Sequence, residues 1–371
     1  RTNAYSLLDF LDNSPCNFFA TATIQRHLDD NGFHELKQSE RWNLEKGGKY
    51  YVKKNDTAIF GFVIGETPLD QSGFNMISAH SDSPCFRIKP NPEMLADGVL
   101  KLNTEVYGGP ILYTWFDRPL SLAGRVIVRN PQNPARPITK LIDFASPVLI
   151  IPHLAIHFNR NVNAGNPLSK QKDMLPIAAI VSDSMSKNNF LIDQIKERLE
   201  IADSKDILDF DLMLYNCQKS QLVGFNKEFI CSGRIDDLSM AHAALSALLN
   251  SNNPATTKVM AIFDNEETGS GTKQGAASPV LASILHRVAT CMGLDDEGFY
   301  QALSKSFLVS ADNAHAAHPN YPEKYDPTNH PKMGSGPVIK INANCKYMTD
   351  AHSSAIFKEV CHAANVPCQY F

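Results

Sequence analysis

Lys258-Val-Met-Ala-Ile-Phe263, running into Asp264-Asn-Glu-Glu-Thr-Gly269, is the stretch on which the reading of this chain turns. After Lys258 come five apolar residues, and the next six are turn-forming. The spacing predicts a buried strand that ends in two adjacent carboxylates, Glu266 and Glu267. Side chains alternate along extended backbone and diverge again where it bends. Neighbouring glutamates can then take separate jobs, one holding a cation and one activating water. In open α/β sheets ligands gather just outside the carboxyl ends of strands. By itself such a dipeptide is ordinary solvated surface, so its surroundings decide.

Those surroundings are a soluble globular composition. The 371 residues are 43% hydrophobic and 20% charged, and the net charge is -4. That length favours two domains. The near-neutral balance gives no reason to expect nucleic acid or an anionic membrane as partner. No apolar run approaches the roughly 20 residues that span a bilayer; Pro147–Pro152 reads as a buried strand or short core segment. Eight scattered cysteines without a C-x-x-C pair read as reduced thiols of a cytoplasmic protein. The chain opens on Arg1 without a visible secretory signal and closes on Val366-Pro-Cys-Gln-Tyr-Phe371, the look of a strand opening. Both termini look trimmed.

Outward from 258–269 the texture changes twice. Helical spacing marks Leu7, Leu8, Phe10 and Leu11, then Thr21, Ile24, His27 and Leu28 up to a C-cap at Asn31-Gly32. Strands are expected at Lys49–Val52, Ala58–Val63 and Phe74–Ser78. From about Pro90 short β-rich runs take over: Val99–Leu102, Ile111–Trp115, Gly124–Val128 and later Phe210–Leu214, with a polar segment near 160–173. After Arg234 the α/β texture returns, with a helix over Ala241–Leu249, strands at 258–263, Phe307–Ser310 and Val338–Ile341, and a helix from Asp350 to Ala364. One domain is interrupted by another.

Three strands each lead to a possible ligand: Phe74–Ser78 to His80, 258–263 to the glutamates, and Phe307–Ser310 to Asp312. Asp236, in Gly233-Arg-Ile-Asp-Asp237, precedes the Ala-rich helix, where an N-cap is the plainer reading. Converging carboxylates repel one another unless a cation sits between them. A thiolate-free His/Asp/Glu/Asp set suits zinc or another borderline divalent metal. A metal pair bridged by one carboxylate suits peptide hydrolysis at an N-terminus. Asp82 is spaced to accept the second ring N–H of His80 and fix its tautomer. Glu266 would serve as general base and Glu267 as ligand; spacing alone leaves open which glutamate does which.

At this point the residues resemble a known family. Ser78-Ala-His-Ser-Asp-Ser-Pro84, Pro152-His-Leu-Ala-Ile-His157, Gln171-Lys-Asp-Met-Leu-Pro176, Phe263–Gly269, Asp312-Asn-Ala-His-Ala-Ala-His-Pro-Asn-Tyr321 and Gly336–Asn342 occur in order. Together they resemble the M18 aspartyl aminopeptidases, di-zinc metallopeptidases. The resemblance implies an α/β fold, a mixed-sheet metallopeptidase (phosphorylase/hydrolase-like) catalytic domain of residues 1–89 and 230–371. It is interrupted by a β-rich dimerisation domain of residues 90–229. It implies His80, Asp236 and Asp312 on one zinc, Asp236 bridging, Glu267 on a second zinc, and Glu266 as base. It implies homododecamers built from dimers, with a histidine crossing between subunits. His153 is the best match, although a histidine packed beside Pro152 and Leu154 is an equal reading. The family's last ligand of the second zinc lies in a C-terminal Met-His-Ser segment beyond Phe371. None of His315, His318, His330, His352 or His362 stands in a matching motif.

The resemblance further implies removal of N-terminal Asp or Glu by a metal-bound hydroxide. An acidic side chain calls for a cationic pocket, with Lys340 or Lys332 as candidates; Lys340 could equally be structural. Two other readings stand beside it: an assembly protein with a vestigial peptidase site, and an amidohydrolase acting on non-peptide amides.

Overall fold

The computed structural model describes residues 2–185 and 187–371. The chain divides into two compact units, Arg1–Ala311 and Asp312–Phe371. The first contains β1 (His34–Glu35), β2 (Lys49–Lys54), β3 (Ala58–Val63) and β4 (Phe74–His80). Next come β5 (Cys85–Ala96), β6 (Val99–Tyr107), β7 (Leu120–Val128), β8 (Ile138–Asp143), β9 (Ile177–Ile180) and β10 (Ile207–Asn216). A small hairpin, β11 (Gln221–Val223) with β12 (Phe229–Cys231), precedes β13 (Thr257–Phe263) and β14 (Phe307–Ser310).

Two sheets of six strands result, in the orders β1-β2-β3-β13-β4-β14 and β8-β7-β10-β5-β6-β9. The first is mixed: β13, β4 and β14 run parallel, so their carboxyl ends share one edge, while β2, β3 and β13 alternate in direction. The second is antiparallel throughout. The fold is therefore mixed α/β, as the sequence texture suggests.

Period-two alternation explains why the first sheet is apolar on both faces. Phe60 and Phe62 of β3, with Val259, Ala261 and Phe263 of β13, enter one core beside the helices Val280–Cys291 and Asp296–Ser304. Their neighbours Ile59, Met260 and Ile262 enter the other, beside Phe10, Ile24 and Leu245 of the helices Thr2–Asp12, Asn17–Asp30 and Ile235–Asn250. A sheet covered on both faces reads as continuous apolar runs, which is how β3 and β13 appear.

Several expected elements differ in detail. The run Ile111–Trp115 is not a strand; Leu112–Trp115 forms a 3-10 turn in which Thr114 donates to the Ile111 carbonyl. Its apolar residues serve tertiary contacts instead of a ladder, with Trp115 edge-on to Phe86 at 4.9 Å while Ile111 is exposed. The Ala-rich helix begins six residues earlier than expected, at Ile235. Leu149, Ile150 and Ile151 make isolated bridges, and Leu149 and Ile151 are buried.

In the second unit β15 (Val338–Ile339) pairs in parallel with β16 (Gln369–Tyr370), shorter than the run 338–341 suggests. The helix Ala351–Ala363 starts with a capping box between Asp350 and Ser353, which satisfies the first-turn amides. Among the described residues no helix is long and apolar enough to cross a membrane.

The core makes one plain demand. Phe60 is fully buried and edge-on to Phe263 at 5.4 Å. Phe60→Ala should cost about 3–5 kcal/mol, read as an earlier urea unfolding transition; an unmoved transition contradicts this packing.

Candidate metal centre

The register of the first sheet sets the site. Phe263 at the end of β13 lies opposite His80 at the end of β4, and the Ser81 amide donates to the Phe263 carbonyl at 2.8 Å. Beyond Phe263 the backbone turns sharply. Asn265 adopts the left-handed conformation (φ 62°), and Glu266–Thr268 form a 3-10 turn ended by Gly269 at φ 98°. Asn is one of the few residues that tolerate this region, and glycine supplies it freely. The turn presents both glutamates at the edge where β4 ends.

Asp82 organises the edge. Its carboxylate is 2% exposed and accepts four hydrogen bonds. His80 Nδ1 lies 3.1 Å from Oδ1, and the Tyr107 hydroxyl donates to Oδ2 at 2.6 Å. The amides of Glu266 and Glu267 donate to Oδ1 and Oδ2 at 3.2 and 3.1 Å. Burial by itself would raise this carboxyl, but the His80 and Tyr107 hydrogen bonds, the His80 charge and the Glu267 amide outweigh it and hold it below the ordinary range. With Nδ1 donating to Asp82, His80 directs Nε2 at the carboxylates.

Around Nε2 stand Asp236 Oδ1 at 3.4 Å, Glu266 Oε2 at 3.6 Å and Asp237 Oδ2 at 3.9 Å. Ligand atoms of His80, Asp236 and Asp237 lie within 4.8 Å of one another, and so do those of His80, Glu266 and Glu267. Asp236 and Asp237 carry non-helical angles at the start of the helix Ile235–Asn250, so Asp236 faces His80 instead of capping the helix. Asp237 is fully buried and accepts from the His80 amide at 3.1 Å. Nearby Gly108 has φ +72°, and a Cβ there would stand 3.1 Å from Glu267 Cβ, so a larger residue would be strained in backbone and tight against the glutamate.

The donor chemistry fits zinc: one imidazole nitrogen and several carboxylates. The nearest thiols, Cys16 and Cys85, are pushed up by burial, Cys16 to about 12, and so are poor ligands. The Glu267 carboxyl is pushed up to about 7, by burial first and then by Asp236, with His80 opposing. Crowded carboxylates hold a proton until a cation replaces it.

Of the residues singled out from sequence, His80, Asp82, Asp236, Glu266 and Glu267 meet at this edge. Asp312 and Lys340 belong to the second unit, where they pair at 3.5 Å and Lys340 Nζ also donates to the Asn313 carbonyl. His153 sits edge-on to Phe116 at 4.4 Å, its amide donating to Asp117. Three participants went unnoticed in the sequence: Tyr107, Asp237 and Asn265. Asp237 neighbours a candidate ligand and could have been suspected; Tyr107 is distant in the chain and only the sheet register finds it. Behind the edge lies a cavity of about 260 Å³, lined by Ser83, Tyr107, Trp115, Met213 and Arg234 among others.

Comparison with known proteins supports the same reading. The family model described as Aminopeptidase I zinc metalloprotease (M18) matches residues 10–371. The chain is 52% identical over 369 residues to a probable M18 family aminopeptidase 2 of Clostridium novyi, covering 99% of this chain and 85% of the relative. In structure it is similar to a chain of the Ape4 and Nbr1 complex, with a TM-score of 0.94 and 35% identity, covering 100% of this chain and 74% of that one. It shares the fold of the S. cerevisiae mApe1 dodecamer, with a TM-score of 0.86 at 24% identity, covering 99% of this chain and 84% of that one.

The raised Glu267 carboxyl has a consequence for the metal-free protein. Below about pH 7 it is protonated, so a divalent ion must displace that proton. Zinc affinity should fall from pH 8 to pH 6, and calorimetry in buffers of different ionisation enthalpy should record proton release. Affinity independent of pH contradicts this.

Proposed function

The chain belongs to the M18 family of zinc aminopeptidases, and from that premise we propose that it removes acidic residues, Asp or Glu, from peptide N-termini. The observation that supports the hydrolytic reading best is a pair of ligand groups that share His80, one with Asp236 and Asp237 and one with Glu266 and Glu267, held from behind by Asp82. In this reading Glu267, His80 and Asp236 are ligands. Asp312 as a further ligand, Asp236 as a bridge between two zinc ions, and Lys340 as the cation for the acidic side chain rest on the family resemblance. His153, as the histidine offered across subunits, rests on it too.

Bound zinc would polarise the scissile carbonyl and acidify water. The chain's own residues do the rest. Glu266 is half exposed at the edge, so it can take a proton from the attacking water and return it to the leaving amine. Its amide is fixed on Asp82, which limits where the carboxylate can swing. His80 stays oriented because Asp82 takes its Nδ1 proton.

Glu266→Gln should lower kcat by about 10²–10⁴-fold while zinc stays bound. On matched peptides beginning with Asp, Glu or Ala, the wild type should prefer the acids. Lys340→Met should cut that preference by about tenfold or more, the worth of one hydrogen bond to a charged group. Equal turnover of Ala peptides contradicts acidic specificity. No turnover despite bound zinc favours a vestigial site, and turnover of N-acyl amino acids favours an amidohydrolase.

We extend the reading to assembly and location. Residues 90–229 act as the dimerisation domain within a homododecamer in the cytoplasm. Support comes from large apolar side chains exposed there, including Ile111, Phe158, Ile180 and Phe225, since exposed apolar surface of this kind marks interfaces. The eight thiols, all free, fit a reducing compartment. Light scattering should give a mass near twelve chains; a monomer at micromolar concentration contradicts it.

A further inference from the structure

We propose that Tyr107, on the second sheet, is a positioning residue of the metal centre: its hydroxyl locks Asp82, and through it His80 and the Glu266–Glu267 turn. The inference rests on the hydrolytic reading above and concerns a residue that neither spacing nor motif singles out.

The argument starts with register. Tyr107 ends β6 and pairs with Cys85 at the start of β5, three residues after Asp82. The β6 strand therefore delivers a phenol to the back of the carboxylate. The direction of the hydroxyl proton follows from its partners. Asn265 Oδ1 accepts from Thr272 Oγ1 and Gln274 Nε2, both at 2.8 Å, so the amide NH₂ of Asn265 must face the other way. It donates to Tyr107 Oη at 3.0 Å. Oη thus already accepts one hydrogen bond, and its own proton goes to Asp82 Oδ2 at 2.6 Å. Donors thus converge on Asp82 from two sides: Asn265 donates to Tyr107 and Tyr107 to Asp82, while His80 donates to the other carboxylate oxygen.

Two consequences distinguish positioning from packing. First, Asn265 sits on the same turn as the two glutamates, and Asp82 also accepts from both glutamate amides. Removing the phenol oxygen therefore loosens both the histidine and the turn. Second, among the described residues the Asp82 Oδ2 atom would keep only the Glu267 amide. An under-satisfied buried carboxylate competes for the His80 proton and rotates to find partners, which moves Nε2. Partners of this kind behind a ligand typically carry about 10–100-fold in metal affinity or activity.

The test uses Tyr107→Phe in the full chain, with Tyr215→Phe as its control. Tyr215 makes a matching phenol-to-carboxylate bond, to Asp143 Oδ1 at 2.6 Å, in the same sheet. Metal-free proteins are titrated with zinc against a chelator, the cobalt-substituted forms are compared by visible absorption, and kcat and KM are measured. Tyr107→Phe should weaken zinc binding about tenfold or more, shift the cobalt bands and lower kcat with KM little changed. Tyr215→Phe should match the wild type in all three. Wild-type affinity and cobalt spectrum in Tyr107→Phe overturn the proposal, and so do equal losses in both variants, which would indicate general loosening of the sheet. A wild-type chain that takes up no zinc overturns the metal-centre reading and this proposal with it.

Discussion

A single buried carboxylate holds two strand ends in one geometry. Asp82 follows β4 and receives the glutamate amides that follow β13, so the relative position of His80 and the Glu266–Glu267 turn depends on it. An isolated carboxylate would not remain ionised in that setting, because desolvation of a charge is expensive. Four donors change the balance, since hydrogen bonds to a charged group contribute about 1.5–3 kcal/mol each. The same bonds fix the imidazole tautomer, and the tautomer decides which nitrogen faces the acids.

The rest of the first sheet supplies the rigidity that this edge requires. Three parallel strands bring their carboxyl ends together, and apolar cores on both faces prevent the strands from slipping. A one-residue slip would turn every core side chain to the wrong face. The polar edge can therefore gather crowded carboxylates and left-handed backbone at Asn265, features that would be unfavourable on a softer frame. The second sheet is not a passive addition, because β6 carries Tyr107 into the same network.

Much of this was legible in the sequence, and the limits have physical causes. The strands at 58–63, 74–78, 258–263 and 307–310 are short apolar runs bounded by turn residues, a local signal. Their ends gave His80, Asp82 and the two glutamates as candidates. Ile111–Trp115 has the same local signal, yet it forms a turn, because Trp115 finds its partner in Phe86 of another strand. Tyr107 and Asn265 carried no signal, since their roles come from hydrogen bonds across 25 and 158 positions of chain. Asp236 allowed two readings in the sequence, helix cap or metal ligand, and it faces His80, an outcome set by the backbone angles at Asp236 and Asp237. The division of roles between the glutamates came from family resemblance, not from spacing.

Amide hydrogen exchange on Asp82→Asn tests the central claim most directly. The amides of Glu266 and Glu267 should lose protection while those of Met76, Ile77, Met260 and Ala261, inside the paired strands, keep theirs. Unchanged protection at both glutamates would contradict the account, because the turn would then be held by something other than Asp82.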